Sequence, residues 1–273
     1  MKKAIVTILI LILLAIFGIS AFHVVTYFVE SKEQEAHYDE LSDIVKDAQE
    51  AAKATTSAPE KETKPAEATE PEDTEPAEDG GMLPGYAELY EINNDLVGWM
   101  RIEGTEIDYP VMQTPGRTDF YLKRNFDKDH SERGCLYVRE ECDVFRPSDN
   151  VTIYGHTMMD GSMFAYLHEY QDKEVWEDNR LIFFDTLYEY HVYEIFSVFI
   201  TTASLGEGFS YHQMEDAESE EDFDEFIAKC KALALYDTGI TPEYGDKIIC
   251  LSTCEYSDPD GNGRLVVAAV RIS

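Results

Sequence analysis

The chain has 273 residues, 55 of them Asp or Glu against 22 Lys or Arg, and a formal net charge of −33. That length fits one good domain plus attachments, and so acidic a surface argues against nucleic acid, whose phosphates need basic partners. Acids outnumber bases both in residues 31–80 and in residues 81–273. The folded part is therefore acidic in its own right, which serves solubility and also suits an amine-bearing partner.

Met1-Lys2-Lys3 precedes an uncharged run from Ala4 to Phe22, which His23 to Val29 extend as far as the first acid, Glu30. A run near 20 residues is long enough to span a bilayer. Lysines before it and acid after it set the N-terminus inside and the bulk of the chain outside. A cleaved signal peptide is the rival reading, but its apolar region would be shorter. Residues 1–29 are therefore read as an uncleaved signal-anchor. Glu30 to Lys53 is polar and helix-permissive. Ala54 to Gly81 holds Pro59, Pro65, Pro71 and Pro76 among Ala, Thr, Glu and Lys. Such a composition buries no core and is expected to stay extended and disordered. Residues 30–81 are read as an acidic stalk, and residues 82–273 as the folded domain.

Within that domain Tyr86, Leu89, Ile92 and Leu96 recur at near-helical spacing, with Gly98 as the stop. Trp99 to Ile102 and Ile107 to Met112 read as strands around a Glu103-Gly104-Thr105 turn. Phe120 to Leu122, Gly134 to Val138 and Asn150 to Tyr154 follow as short strands. Ser162 is expected to cap a short helix through Leu167. Leu181 to Phe184 and Tyr188 to Thr201 read as strands. Ser219 opens an amphipathic helix with acids in its first turn and a stripe of Phe223, Phe226, Ile227, Cys230 and Leu233. Lys247 to Ser273 closes the chain as two β runs joined by turn-formers from Glu255 to Gly263, an antiparallel hairpin. At least seven strands with few helices predict a mainly β fold, a barrel with helical additions.

The hairpin sets Cys254, at the end of one strand, beside Arg264, at the start of the next. A thiol needs a base or a cationic neighbour to become a nucleophile. A guanidinium offers permanent charge and fixed donors to a developing oxyanion, although an arginine at a strand start often does no more than meet solvent. Among the histidines, His156 stands out because it follows a β run through Gly155 and so can face a site at the sheet rim. His130 and His212 lie in polar loops and are expected to be exposed, His168 ends a short helix, and His191 falls on the polar face of a strand. Asp258-Pro259-Asp260-Gly261-Asn262-Gly263 matches the front half of a calcium loop, but its closing position is Ala269, and a turn is the better reading. The cysteine count of five is odd. No spacing resembles a disulfide framework or zinc knuckle, so mostly reduced, buried cysteines are expected, with one reactive. Cys250 shares strand parity with Cys254 and reads as core. Cys135 and Cys142 could pair only if the chain doubles back between them.

With these residues in place, the chain resembles the sortases, cysteine transpeptidases of Gram-positive bacteria. Leu251-Ser252-Thr253-Cys254 followed by Arg264 resembles the family's L-x-T-C…R, and Ile153-Tyr154-Gly155-His156 its histidine segment. Class B is the nearest match, through Gly98-Trp99-Met100-Arg101-Ile102, Thr105 to Val111, Tyr121-Leu122 and Tyr154 to Phe164. Order and spacing agree from Met82 to Ser273. Cys250 departs from a common threonine, and Thr157 from a common asparagine. The resemblance implies a closed eight-stranded barrel with an N-terminal helix and a long helix between the sixth and seventh strands. It implies Cys254 as nucleophile, His156 as acid and base, and Arg264 at the oxyanion, with thiolate and imidazolium together in the active form. Leu122, Ser252 and Glu255 match positions of the class B substrate groove. The implied partners are secreted proteins with a C-terminal sorting motif, an amine of peptidoglycan or of a pilin, and the cytoplasmic membrane. No metal or organic cofactor is implied. The alternatives are an extracytoplasmic cysteine peptidase, in which water resolves the thioester, and a non-catalytic stalked wall protein.

Overall fold

The structure is a computed structural model that describes residues 2–56, 81–204, 206–256 and 260–273. It divides into two units, Met1–Asp43 and Ile44–Ser273. One helix, α1 (Lys2–Thr56), runs through the first unit and into the second. From Ile5 to Val29 its apolar side chains stand exposed, Phe17 at 71% and Phe22 at 67%, and it is long and apolar enough to cross a membrane. Of the expected stalk, the part through Thr56 is helical. Proline is absent until Pro59, so nothing in the sequence breaks the helix sooner. Residues 57–80 lie outside the described residues.

The second unit is a closed barrel of eight strands, β1 (Leu96–Arg101), β2 (Asp108–Met112), β3 (Leu136–Val138), β4 (Asn150–Tyr154), β5 (Leu181–Thr186), β6 (Val192–Thr202), β7 (Ile248–Cys254) and β8 (Gly263–Arg271). Around the barrel they run β1-β2-β3-β4-β7-β8-β6-β5, and β5 pairs with β1 to close it. β2 with β3 and β4 with β7 are parallel, and the other pairs are antiparallel. Closure leaves no strand edge unpaired.

Short helices flank the strands. α2 (Tyr86–Ile92) ends earlier than its apolar spacing predicts. Asn93 takes over the chain there, its amide donating to Tyr121 Oη at 2.8 Å and to the Phe126 carbonyl at 2.6 Å. Leu96 instead begins β1, and Gly98 lies inside that strand rather than stopping a helix. A Cβ on Gly98 would sit 2.2 Å from the Asp185 carbonyl oxygen, so only glycine lets β5 approach. Phe120 to Leu122, expected as a strand, forms a 3-10 turn (Phe120–Lys123) led by Asp119 at φ 54°. A three-residue apolar run carries no period to separate the two. Ser162 caps nothing, because its hydroxyl donates to Asp160 at 2.8 Å. The 3-10 helix that follows runs Ala165–Gln171. α3 (Lys173–Asp178), unforeseen, is capped by Asp172, which accepts from the Glu174 amide at 2.9 Å.

α4 (Glu220–Leu233) joins β6 to β7 and is capped by Ser219 as expected. Its stripe of Phe223, Phe226, Ile227 and Cys230 is buried on the outer face of β6, β7 and β8, against Phe196, Phe199, Cys250, Val266 and Ala268. Leu233 leaves the stripe, 42% exposed in the last turn. Each phenylalanine buried here contributes about 1.5–3 kcal/mol relative to exposure. Alternation along β7 then decides the site. Ile248 and Cys250 face the α4 layer, so Ser252 and Cys254 share that outer face, while Ile249 and Leu251 fill the barrel.

Candidate active site

β7 and β8 pair in a register that sets Cys254 directly opposite Arg264. On the other side of β7, parallel β4 sets Tyr154 beside Ser252, and the Gly155 amide donates to the Ser252 carbonyl at 3.1 Å. His156, two residues past Tyr154, is thus level with Cys254, two residues past Ser252. The three side chains belong to three adjacent strand ends at one rim of the barrel. Both Cys254 and His156 are half-buried.

Each of the three is held locally. At Gly155 a Cβ would lie 2.5 Å from Leu136 and from the Phe164 ring, so glycine is what lets the chain leave β4 here. His156 Nε2 lies 2.8 Å from the Leu122 carbonyl oxygen. A carbonyl only accepts, so Nε2 carries the proton and Nδ1 is left for proton exchange. The loop after His156 closes through the Phe164 amide, which donates to the His156 carbonyl at 2.9 Å. It is braced by an ion pair between buried Arg133 and Asp160. Arg264 Nη1 donates to its neighbour's carbonyl, Gly263 O, at 2.8 Å, which fixes the plane of the guanidinium and leaves its other N–H groups to point elsewhere.

The remaining expected residues surround this rim. Leu122 is 36% exposed, and its carbonyl is the one His156 uses. Ser252 is buried, its hydroxyl 2.6 Å from Tyr211 Oη. Glu255 is buried as well, and its amide donates to Gly263 O at 2.9 Å. It lines a cleft of ≈ 630 Å³ with Ile200, Thr201, Phe209, Leu233 and Gly263. The rings of Tyr137 and Tyr154 lie 5.4 Å apart at a tilt of 43°, and burial first, then Asp119, holds the Tyr137 phenol far above its usual range.

Two histidines depart from expectation. His191 is buried at the turn before β6, with Nε2 at 3.2 Å from Glu189, rather than on a polar strand face. Burial and then Arg271 lower its pKa. His212 is half-buried in a 3-10 turn (Tyr211–Gln213), its pKa lowered by burial and then by Arg139. His130 is exposed beside Glu132. His168, read from the sequence as no more than a helix end, comes within 3.0 Å of the Cys254 carbonyl oxygen. Nothing local marks it, because the strand end it meets lies far away in sequence.

None of the five cysteines is in a disulfide, and only Cys254 is not buried. Burial pushes the Cys142 thiol up to about 11 and raises those of Cys230 and Cys250 further. These three are poor nucleophiles at neutral pH. Among the described residues no group of three His, Cys, Asp or Glu side chains could hold a metal ion, and the calcium-like loop falls partly on residues 257–259, outside them. A thiol, an imidazole with one free nitrogen and a guanidinium on adjacent strand ends are the parts of a thiol acyl-transfer site.

A Sortase domain model matches residues 100–272. Sortase B of Staphylococcus aureus is 26% identical over 266 residues, covering 97% of this chain and 94% of that protein. Sortase B of Listeria monocytogenes is 33% identical over 180 residues, 66% of this chain and 71% of that protein. The S. aureus sortase B–substrate complex superposes with a TM-score of 0.72 at 26% identity, over 90% of this chain and 99% of that one. Fold, strand order, family model and relatives converge, and the chain belongs to the sortase family, as a class B cysteine transpeptidase.

Proposed function

We propose that this chain is a membrane-anchored sortase. It cleaves a C-terminal sorting signal after threonine and passes the acyl group to an amine of the cell wall or of a pilin subunit. The observation that carries this reading is the cross-strand pair of Cys254 with Arg264, flanked by His156 at the end of the neighbouring parallel strand. Cys254, its thiol proton passed to His156 Nδ1, attacks through Sγ the carbonyl after the threonine, and Arg264 donates to the oxyanion that forms. The C–N bond breaks, and the departing amine takes its proton from His156 Nδ1. The thioester left on Cys254 is then attacked by the acceptor amine, whose proton passes to His156 as the new amide forms and the thiolate is released. Leu122, Ser252 and Glu255 belong to the groove that holds the sorting peptide, Ser252 by way of Tyr211 and Leu122 by way of His156.

Residues 1–29 anchor the chain in a single pass with the N-terminus inside. Residues 30–81 form an acidic stalk, and residues 82–273 are the catalytic part outside. The uncharged run between Lys3 and Glu30 supports the anchor.

The test is product analysis. The chain is incubated with a peptide selected from a library for cleavage, with rising concentrations of an added amine. The proposal expects a product joined to the amine, whose share rises with amine concentration, and no product from Cys254→Ala. Hydrolysis alone at every amine concentration would make the enzyme a peptidase on that substrate, and cleavage by Cys254→Ala would remove the nucleophile.

A further inference from the structure

In a parallel pair each strand's carbonyls meet the other's amides at regular rungs. β4 and β7 follow this rule up to the Gly155 amide, which donates to the Ser252 carbonyl. The next rung would bring the amide of residue 157 to the carbonyl of Cys254. Thr157 has turned away by then and forms a bridge with Met163 instead. The carbonyl of the nucleophile is thus the last acceptor on the β4 side of β7, and side chains meet it. His168 Nε2 lies 3.0 Å from it and Thr157 Oγ1 3.3 Å.

The hydrogen-bond roles around that oxygen fit together. The carbonyl can only accept, so His168 carries its proton on Nε2. Nδ1 is then an acceptor, and the Gln171 side-chain amide donates to it at 3.3 Å. His168 Nε2 is also 3.1 Å from Thr157 Oγ1, which lies 2.8 Å from Thr253 Oγ1. Thr253 donates to the Gly155 carbonyl at 2.7 Å. The network ties together the residue after His156, the residue before Cys254 and the backbone of Cys254 itself.

We propose that His168, working with Thr157, is a positioning residue of the transfer reaction: it caps the Cys254 carbonyl where β4 stops and holds the His156 segment to the same point. This rests on the reading of Cys254 and His156 given above. It also gives Thr157, the departure from the common asparagine, a use of its own, because its hydroxyl accepts from His168 Nε2 while its proton goes to Thr253 Oγ1. Without the cap the end of β7 is free to swing away from its place opposite Arg264. The thiol then loses its place beside the His156 base that takes its proton.

The test is the rate at which a methanethiosulfonate reagent labels Cys254 in the full chain in detergent micelles, with Cys254→Ala as the blank. His168→Leu, which keeps bulk and removes the donor, is expected to label about tenfold more slowly, the equivalent of one net hydrogen bond. His168→Gln, which restores an N–H, is expected to return to within about threefold of the original rate. A role in folding alone would loosen the rim and expose the thiol, so labelling at the original rate or faster in His168→Leu overturns the proposal. Thr157→Val carries the same expectation at about threefold and decides the matter if His168→Leu does not fold, since an unchanged rate there also overturns it. His156→Ala is run beside them. Undiminished labelling in that variant would overturn the assignment of His156 while leaving the His168 comparison readable.

Discussion

Arg264 illustrates how much a single side chain is asked to do. One of its nitrogens is spent on the Gly263 carbonyl at 2.8 Å, so its remaining donors are aimed by that bond rather than by substrate. Lysine would keep the charge but not the plane or the fork. Arg264→Lys is therefore expected to lower kcat by on the order of a hundredfold, the usual effect of removing one oxyanion donor. KM should change little, and Cys254 should still be labelled by thiosulfonate at close to the original rate. A variant that labels slowly instead would mean that the loss in kcat comes from the thiol rather than from the oxyanion. The pairing of Arg264 with Cys254 was legible because a hairpin with turn-formers between its strands admits few registers. The place of His156 at the same rim was legible through its glycine. His168 and the Arg133–Asp160 brace were not, because each acts on a segment that only the closed barrel brings near. Periodicity reports which face a residue takes and says nothing of which distant carbonyl lies across from it.

The elements were more legible than their ends. α4 and its Ser219 cap followed from acids in a first turn and an apolar stripe, and β7 with β8 from two β runs around turn residues. Where packing overrode local signal, the boundary moved. α2 stops at Asn93 because that side chain is spent on Tyr121 and Phe126, a tertiary cause that spacing cannot show. The docking of α2 also has a titratable contact. Tyr86, fully buried, donates to Asp185 Oδ2 on β5 at 2.8 Å. Burial, as the largest cause, raises the Asp185 carboxyl to about 6. Its folded pKa then lies above the unfolded value of about 3.9. The stability it contributes is present below that unfolded value and is lost as pH rises through about 6. Asp185→Asn keeps an acceptor for Tyr86 and removes the charge. Thermal unfolding should find it more stable than the parent by about 1–2 kcal/mol at pH 7.5, with the difference vanishing near pH 4. A variant less stable than its parent at both pH values would show that the carboxylate itself holds α2.

At the scale of the molecule, the distribution of reactive groups allows its topology to be read in a cell. Lys2 and Lys3 precede the apolar run and Glu30 follows it, and loops rich in Lys and Arg stay on the cytoplasmic side. The run between them exposes its apolar side chains from Ile5 to Val29, and it is long and apolar enough to cross a membrane. The four cysteines other than Cys254 are all buried, so a charged thiosulfonate that cannot cross the membrane has one ready target. That target lies in a part of the chain with a marked excess of acid, which raises the local concentration of a cationic reagent. If the N-terminus is inside and residues 82–273 are outside, intact cells stripped of their wall should be labelled at Cys254 without permeabilisation. Cys254→Ala should take up almost none, and raising the salt should slow the cationic reagent more than a neutral one. Removal of residues 1–29 should leave the labelled chain in the soluble fraction. Labelling that appears only after the cells are opened would place the site on the cytoplasmic side, where no secreted protein could reach it, and would undo the assignment of the anchor's orientation.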